Sequence, residues 1–324
     1  MSALPTLALL LACADKASDT ADTFAPPEPP ANGVQLVVPA FEVAGGSELE
    51  RCVYMKAPNT ERGMITRIEL VARSGLHHTS VAKSQIVFDD GESDCEIGIP
   101  EELMSSYSDV PEPIFASSTQ VDAEDVSFPD GVGVPLEAGQ QLVLNYHYLN
   151  TQVDDIQGEV YVNFHFSDAP EALEEAHLFS FSNVLNISIP PQSEHALTTT
   201  CSFPEDAALV SATPHMHQLG VGFMVRHTAP EADIADGEVL LDSPGWEAPE
   251  TAYYDPPHPV AAGDGLTFTC TWRNPTDEDV HFGPSADDEM CTVFGYHYPG
   301  TGLLWRADYD TEHCWIESEI TTPL

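Results

Sequence analysis

Basic residues are scarce in this 324-residue chain: 10 Lys and Arg face 53 Asp and Glu, for a formal net charge of −43. Such a surface repels phosphate backbones and anionic lipid headgroups, so no nucleic acid partner and no directly bound membrane is expected. The acids form no spaced calcium loop and read as a solvated coat. Helical periodicity is nearly missing too; only Glu171 to Ala176 suggests a single turn. No apolar run approaches the roughly 20 residues of a membrane-spanning helix. Cysteines spaced C-x-x-C are absent, which removes a thioredoxin-type redox motif and a zinc ribbon.

Hydrophobic residues make up 42% of the chain, enough for real cores, and the length suits about two domains. Short apolar stretches alternate with Gly, Pro, Asp and Asn clusters, the pattern of an all-β sandwich. Examples are Val34 to Val38, Ile65 to Val71, Gln141 to Tyr148, Val160 to Phe166, Ala208 to Ala212 and Leu266 to Trp272. The run Ser167-Asp168-Ala169-Pro170-Glu171 interrupts this pattern, and the domain boundary is placed there: one β-sandwich over 34–168, a second over 169–324. At the N-terminus, Leu4 to Ala12 is a short apolar run ending in Leu10-Leu11-Ala12-Cys13, the form of a bacterial lipoprotein signal. Residues 1–12 are expected to be removed and Cys13 lipidated, with the Pro-rich stretch 13–33 as a disordered tether. No Lys or Arg precedes the apolar run, a departure that an upstream start would remove. The expected location is the bacterial cell envelope, on a periplasmic or outer-membrane face, with membrane contact only through the lipid and a monomeric body.

Without Cys13 six cysteines remain: Cys52, Cys95, Cys201, Cys270, Cys291 and Cys314. An even number in an exported chain predicts three disulfides. The sequence also holds an unusual set of potential metal donors: His77-His78, His147 in Leu-Asn-Tyr-His-Tyr, His215 and His217 in Pro-His-Met-His-Gln-Leu-Gly, and Met290 in Asp-Glu-Met-Cys. Zinc rarely takes a thioether, whereas a soft sulfur beside imidazoles favours copper, Cu(I) above all. The donors divide into His-His-His and His-His-Met, the pattern of a redox protein with two unlike coppers.

Residues two apart on a strand share a face. His215 and His217 are therefore expected on one side with Met216 opposite, and His147 on the face of Val143 and Asn145. Adjacent His77 and His78 would diverge on a regular strand, so they converge only at a bulge or strand end, which Gly75 makes cheap. Met290 and Cys291 also point apart, leaving the thioether for metal while the cysteine pairs. Singly, each donor is more often an ordinary polar or core residue; His165, His177, His195, His227, His258, His281, His297 and His313 mostly take that reading, with His281 and His297 candidates to surround a metal site. The combination is what rises above background.

These residues resemble the copper type II, ascorbate-dependent monooxygenases, the family of peptidylglycine α-hydroxylating monooxygenase and dopamine β-monooxygenase. The family's His-His motif is similar to His77-His78, its V-H-Y-x-N strand to His147-Tyr148-Leu149-Asn150, and its His-Thr-His-x-x-Gly motif to His215 through Gly220. Its Cys-x-Tyr strand resembles Cys270-Thr271-Trp272-Arg273-Asn274, and its Glu-Glu-Met-Cys segment resembles Asp288-Glu289-Met290-Cys291, followed by Tyr298-Pro299. Order and spacing agree from about residue 34 to residue 317.

The resemblance implies two tandem β-sandwich (jelly-roll-like) domains, each presenting one copper to a solvent cleft between them. His77, His78 and His147 would hold an electron-supplying copper; His215, His217 and Met290 would hold the catalytic copper where oxygen is activated. It implies disulfides Cys201–Cys314 and Cys270–Cys291, which leaves Cys52 with Cys95. Two copper ions per chain, O2, ascorbate or a similar reductant, and a small-molecule substrate hydroxylated at C–H follow as expectations. Thr213 stands where the peptide-amidating enzymes carry a carboxylate-gripping arginine, Phe294 where they carry a substrate-contacting tyrosine, and Thr79 where the family has methionine after His-His. Peptide amidation is therefore not the expected reaction. The alternative is a non-catalytic copper-binding or electron-transfer envelope lipoprotein using the same ligands.

Overall fold

In a computed structural model that describes residues 24–96, 99–100, 111–117, 121–246, 249–283 and 287–324, the described chain is almost entirely β-structure. The leader at 1–12, Cys13 and the first part of the tether lie outside the described residues. Among those residues the helical turns are short 3-10 segments, one of them Pro170–Ala172 in the run expected to separate two domains. The described end of the Pro-rich stretch docks on the body: Arg73 covers the Phe24 ring at 4.5 Å, and Asn163 and Gln35 donate to the carbonyls of Glu28 and Pro27.

Each strand expected from the sequence is present, usually extended by a few residues. Alternation sets their faces: Val34, Leu36 and Val38 are buried while Val37 between them is exposed. Gly33–Val43, Ile156–Phe166, Gly63–Ala72, Val132–Leu136 and Glu174–Glu175 line up in one sheet, with Ala123–Ser127 also on Gly63–Ala72. A second sheet runs Ile99–Pro100, Gly91–Glu96, Glu48–Lys56, Gln141–Leu149, Leu76–Lys83, Glu112–Ala116. Leu36, Ile68, Leu70, Leu142, Leu144, Tyr146 and Phe164 belong to the core formed by these strands. The opposite face of Gln141–Leu149 is covered separately, where Val143 packs with Cys52, Tyr54 and Cys95. That strand is therefore buried on both sides.

The second half repeats the plan with two five-stranded sheets. One runs Ala252–Val260, Ala207–His215, Cys291–Tyr298, His177–Asn183, Leu304–Ala307; the other runs Glu238–Ser243, Gly220–Thr228, Gly265–Asn274, Ser193–Ser202, Cys314–Pro323. Phe179, Phe181, Phe203, Phe223, Phe268 and Trp272 dominate the second core. The disulfides are Cys52–Cys95, Cys201–Cys314 and Cys270–Cys291. Each closes a loop of the kind that stabilises by about 2–4 kcal/mol, and three such bridges suit an oxidising compartment. The two halves touch directly. Leu178, Val210 and Tyr296 join the first core, Tyr296 stands edge-on to Phe128 at 4.7 Å, and its hydroxyl donates to the Ile114 carbonyl at 2.8 Å. No described helix is long and apolar enough to cross a membrane.

Candidate metal centres

His78 pairs with His147 across two neighbouring strands, and the next pair is Tyr148 with Leu76. His77 is thus the extra residue of a β-bulge, which cancels the alternation that would separate it from His78. The turn before it is made by Gly75 at φ +105°, where an added Cβ would lie 2.6 Å from Ile156 Cδ1. The three rings form a near-equilateral triangle, with centroids 5.2 Å (His77–His78), 4.9 Å (His77–His147) and 5.1 Å (His78–His147) apart. One ligand atom from each lies within 4.8 Å of the others, and the Nδ1 atoms of His77 and His78 are 3.1 Å apart.

Glu48 Oε2 is 3.2 Å from His147 Nε2. Behind the triad, Asn145 donates to Glu50 Oε1 at 3.0 Å and toward the Cys95 sulfur at 3.4 Å, tying the ligand strand to the disulfide. Thr79, in the position after the tandem histidines, donates to the Asn145 carbonyl at 2.6 Å. Burial, and then the neighbouring imidazoles, push His77 down to about 4 and hold His78 well below the ordinary imidazole value. Neutral rings keep the lone pairs that a metal needs. His78 nonetheless keeps 28% of its side-chain surface in contact with solvent, so it is surrounded by protein but still wetted.

His215 ends the strand Ala207–His215 and lies opposite Thr292. His217, expected on the same strand, stands just past its end. The backbone there is diverted: the N–H groups of His217 and Leu219 go to the buried Glu289 side chain, so they do not extend the ladder. A turn closes with Gly220 N–H on the His217 carbonyl, and a Cβ at Gly220 would lie 2.9 Å from Met216 Cβ. Met216, between the two histidines, is buried in the second core. The rings of His215 and His217 are perpendicular, centroids 5.3 Å apart. His217 Nδ1 donates to the Asp288 carbonyl at 3.1 Å, a contact that in a neutral ring makes Nε2 the acceptor. Burial and the His217 and His77 imidazoles push His215 down to about 3. The charge of His77 is felt at His215 and that of His217 at His77, so the two sets lie within electrostatic reach of each other.

Met290 immediately precedes the strand Cys291–Tyr298 and is half-buried, while Cys291 is fully buried in its disulfide. The backbone N–H groups of Met290 and His217 both donate to Glu289 Oε2, which brings the two residues together beyond the end of the ladder. Thr213 and Phe294 pair across the same two strands and border a small cavity of about 10 Å³ that Glu124 and Tyr253 also line. The Thr213 hydroxyl bonds Thr251 at 2.9 Å, so this wall carries no cation where the peptide-amidating enzymes have arginine.

The other histidines have ordinary surroundings. His165 meets Arg67, His177 meets Glu112, His195 meets Thr321, His227 meets Asp264 and His258, and His313 meets Asp310. His297 packs against Phe179 and Phe203, and the His281 ring faces the Ile187 carbonyl. Glu289 is the residue that sequence reasoning passed over. In the sequence it stood only as one acid of the Asp-Glu-Met-Cys segment, with no local mark of its burial.

Among solved structures, several show faint likenesses. PBCV-1 VP54, fitted into a reconstruction of the virophage Sputnik, is 7% identical over 85% of this chain and 95% of its own, with a TM-score of 0.26. A Sulfolobus Turreted Icosahedral Virus structure is 9% identical over 82% and 60%, with a TM-score of 0.21. The 7S globulin of Momordica charantia is 8% identical over 91% and 82%, with a TM-score of 0.18. Scores this low carry no argument. In contrast, residues 177–320 match the family model described as copper type II ascorbate-dependent monooxygenase, C-terminal domain.

Proposed function

With residues 177–320 belonging to the copper type II ascorbate-dependent monooxygenases, we propose that the protein is a two-copper monooxygenase that hydroxylates a C–H bond of a small organic substrate. His77, His78 and His147 would hold one copper, which passes electrons; His215, His217 and Met290 would hold the other, where O2 is used. What carries the reading is the convergence of three imidazoles at His77, His78 and His147, outside the matched residues, in a chain whose matched half brings His215 and His217 together.

The donors fit the metal. Three imidazoles within 4.8 Å suit one copper, and two imidazoles with a thioether suit Cu(I) and leave a coordination position open. When bound, copper supplies the one-electron chemistry that lets O2 attack an unactivated C–H bond. The protein's own part is to present lone pairs and hold them still. The Asp288 carbonyl orients the His217 ring, the bulge at His77 turns adjacent rings to one point, and burial keeps His77, His78 and His215 unprotonated. Thr213 and Phe294 next to His215 offer hydroxyl and ring contacts and no counter-charge for a carboxylate. This supports a neutral or cationic substrate over a peptide C-terminus. An ascorbate-like reductant and an envelope location through a lipid on Cys13 complete the proposal.

The test is ascorbate-driven oxygen consumption across a panel of small aromatic and peptide substrates, with two variants. Met290→Ile keeps the bulk and loses the sulfur, so turnover should vanish while the fold and the His77/His78/His147 copper persist. His147→Ala should stop turnover yet leave carbon monoxide binding at the methionine site. Native turnover by Met290→Ile makes Met290 a packing residue and refutes the oxygen-site assignment. Copper binding by the native protein with no oxygen consumption on any substrate favours the electron-transfer reading.

A further inference from the structure

Glu289 is fully buried, and its partners among the described residues are N–H groups. Oε1 accepts from Leu219 N at 2.6 Å; Oε2 accepts from His217 N at 3.0 Å, Trp272 Nε1 at 2.9 Å and Met290 N at 3.3 Å. These donors come from three places in the chain: the turn after His215, the strand Gly265–Asn274, and the segment before Cys291.

We infer that Glu289 is the positioning residue that holds His217 and Met290 about one copper ion; this rests on the copper reading of that ligand set. His217 and Met290 are 73 residues apart in sequence, and neither lies on a strand whose ladder would fix it. The ladder stops at His215 on one side and begins at Cys291 on the other. Between those ends, one carboxylate takes the backbone N–H of both ligand residues. A carboxyl group offers about four acceptor positions, and four N–H donors converge on this one, three at Oε2 and one at Oε1.

Its own segment is anchored in turn. Glu289 N–H donates to the His281 carbonyl at 2.9 Å, and Gly283 N–H to the Glu289 carbonyl at 3.3 Å. A Cβ at Gly283 would lie 2.2 Å from Asp288 Oδ2, so a side chain there would displace the Asp288 carboxylate. The neighbours on either side act on the same set: the Asp288 carbonyl holds the His217 ring, and Met290 bears the thioether. The indole of Trp272, itself fully buried and two residues from Cys270, gives the carboxylate a rigid third support. A thioether binds copper weakly, so its contribution depends on being placed in advance, which a rigid supporting contact provides.

The experiment compares native protein, Glu289→Gln and Trp272→Phe, each loaded with Cu(I). Sulfur scattering is read by X-ray absorption, and Cu(I) affinity by competition with a chelator. The amide of Glu289→Gln keeps the size but turns an N–H donor toward either Leu219 or the three donors at Oε2, so one side of the clamp opens. Sulfur scattering should be lost and Cu(I) held about 10- to 100-fold more weakly at this set. The His77/His78/His147 copper should load as in the native protein.

A merely architectural Glu289 would lower the unfolding midpoint and leave scattering and affinity of the folded protein unchanged, and that result overturns the inference. Should Glu289→Gln not fold, Trp272→Phe decides. It removes one donor from Oε2, so it should weaken Cu(I) at this set alone; native affinity there overturns the inference. Absence of sulfur scattering from the native protein is a different failure, because it removes Met290 from the site and the copper reading with it.

Discussion

His297 is 5% exposed, wedged among Phe179, Phe203 and His177, with its Nδ1 unpartnered. Burial, and then the His177 charge, push it down to about 4 from an ordinary 6.5. Between those values the unfolded chain takes a proton that the folded chain refuses. Its contribution to stability is therefore present above pH 6.5 and lost as the pH falls toward 4. The full effect is at most about 3 kcal/mol for such a shift. His297→Leu keeps an apolar fit and does not titrate, so unfolding free energy measured from pH 7 to pH 4 should fall less steeply than in the native protein. Equal slopes would show that His297 is not a proton-refusing residue. This burial was not legible in the sequence, where His297 sits beside Met290 in number only; its neighbour across the sheet is His177, 120 residues away.

At the scale of elements, the strands were readable because alternation of apolar residues with Gly, Pro and Asn clusters is a local signal. Their pairing was not, since sequence cannot say that His78 faces His147. The bulge at His77 was inferable from chemistry alone: adjacent histidines serve one metal only if a strand is broken, and Gly75 was the residue to break it. The clamp at Glu289 was not inferable in that way. It works through backbone N–H groups brought together by the fold, and the expected strand through His217 gave way to it.

The same element yields a test. At Gly75 an alanine would meet Ile156 Cδ1 at 2.6 Å and occupy φ +105°, so the turn must shift. Gly75→Ala should cost about 1–2 kcal/mol in denaturant unfolding and weaken copper at His77/His78/His147, leaving the His215/His217 set intact. Native copper binding by Gly75→Ala would show that the bulge does not depend on this glycine.

Over the whole molecule, two cores meet through an apolar contact. Tyr296 is central to that contact. Its ring stacks edge-on to Phe128 and its hydroxyl donates to Ile114, 182 residues away in sequence. Tyr296→Phe leaves a buried carbonyl without its donor, and should cost about 1–3 kcal/mol. Limited proteolysis should then cut nearer the 168–172 connection than in the native protein; an unchanged pattern would mean that the two halves are held by other contacts.

In the proposed function two unlike copper sites occupy one chain, and metal analysis after reconstitution with Cu(I) and competing zinc reads their number. Two coppers per chain are expected, with zinc excluded from the methionine set and one copper, not both, lost when His215 and His217 are replaced together. One copper per chain in the native protein, or zinc preferred at both sets, would contradict the proposal.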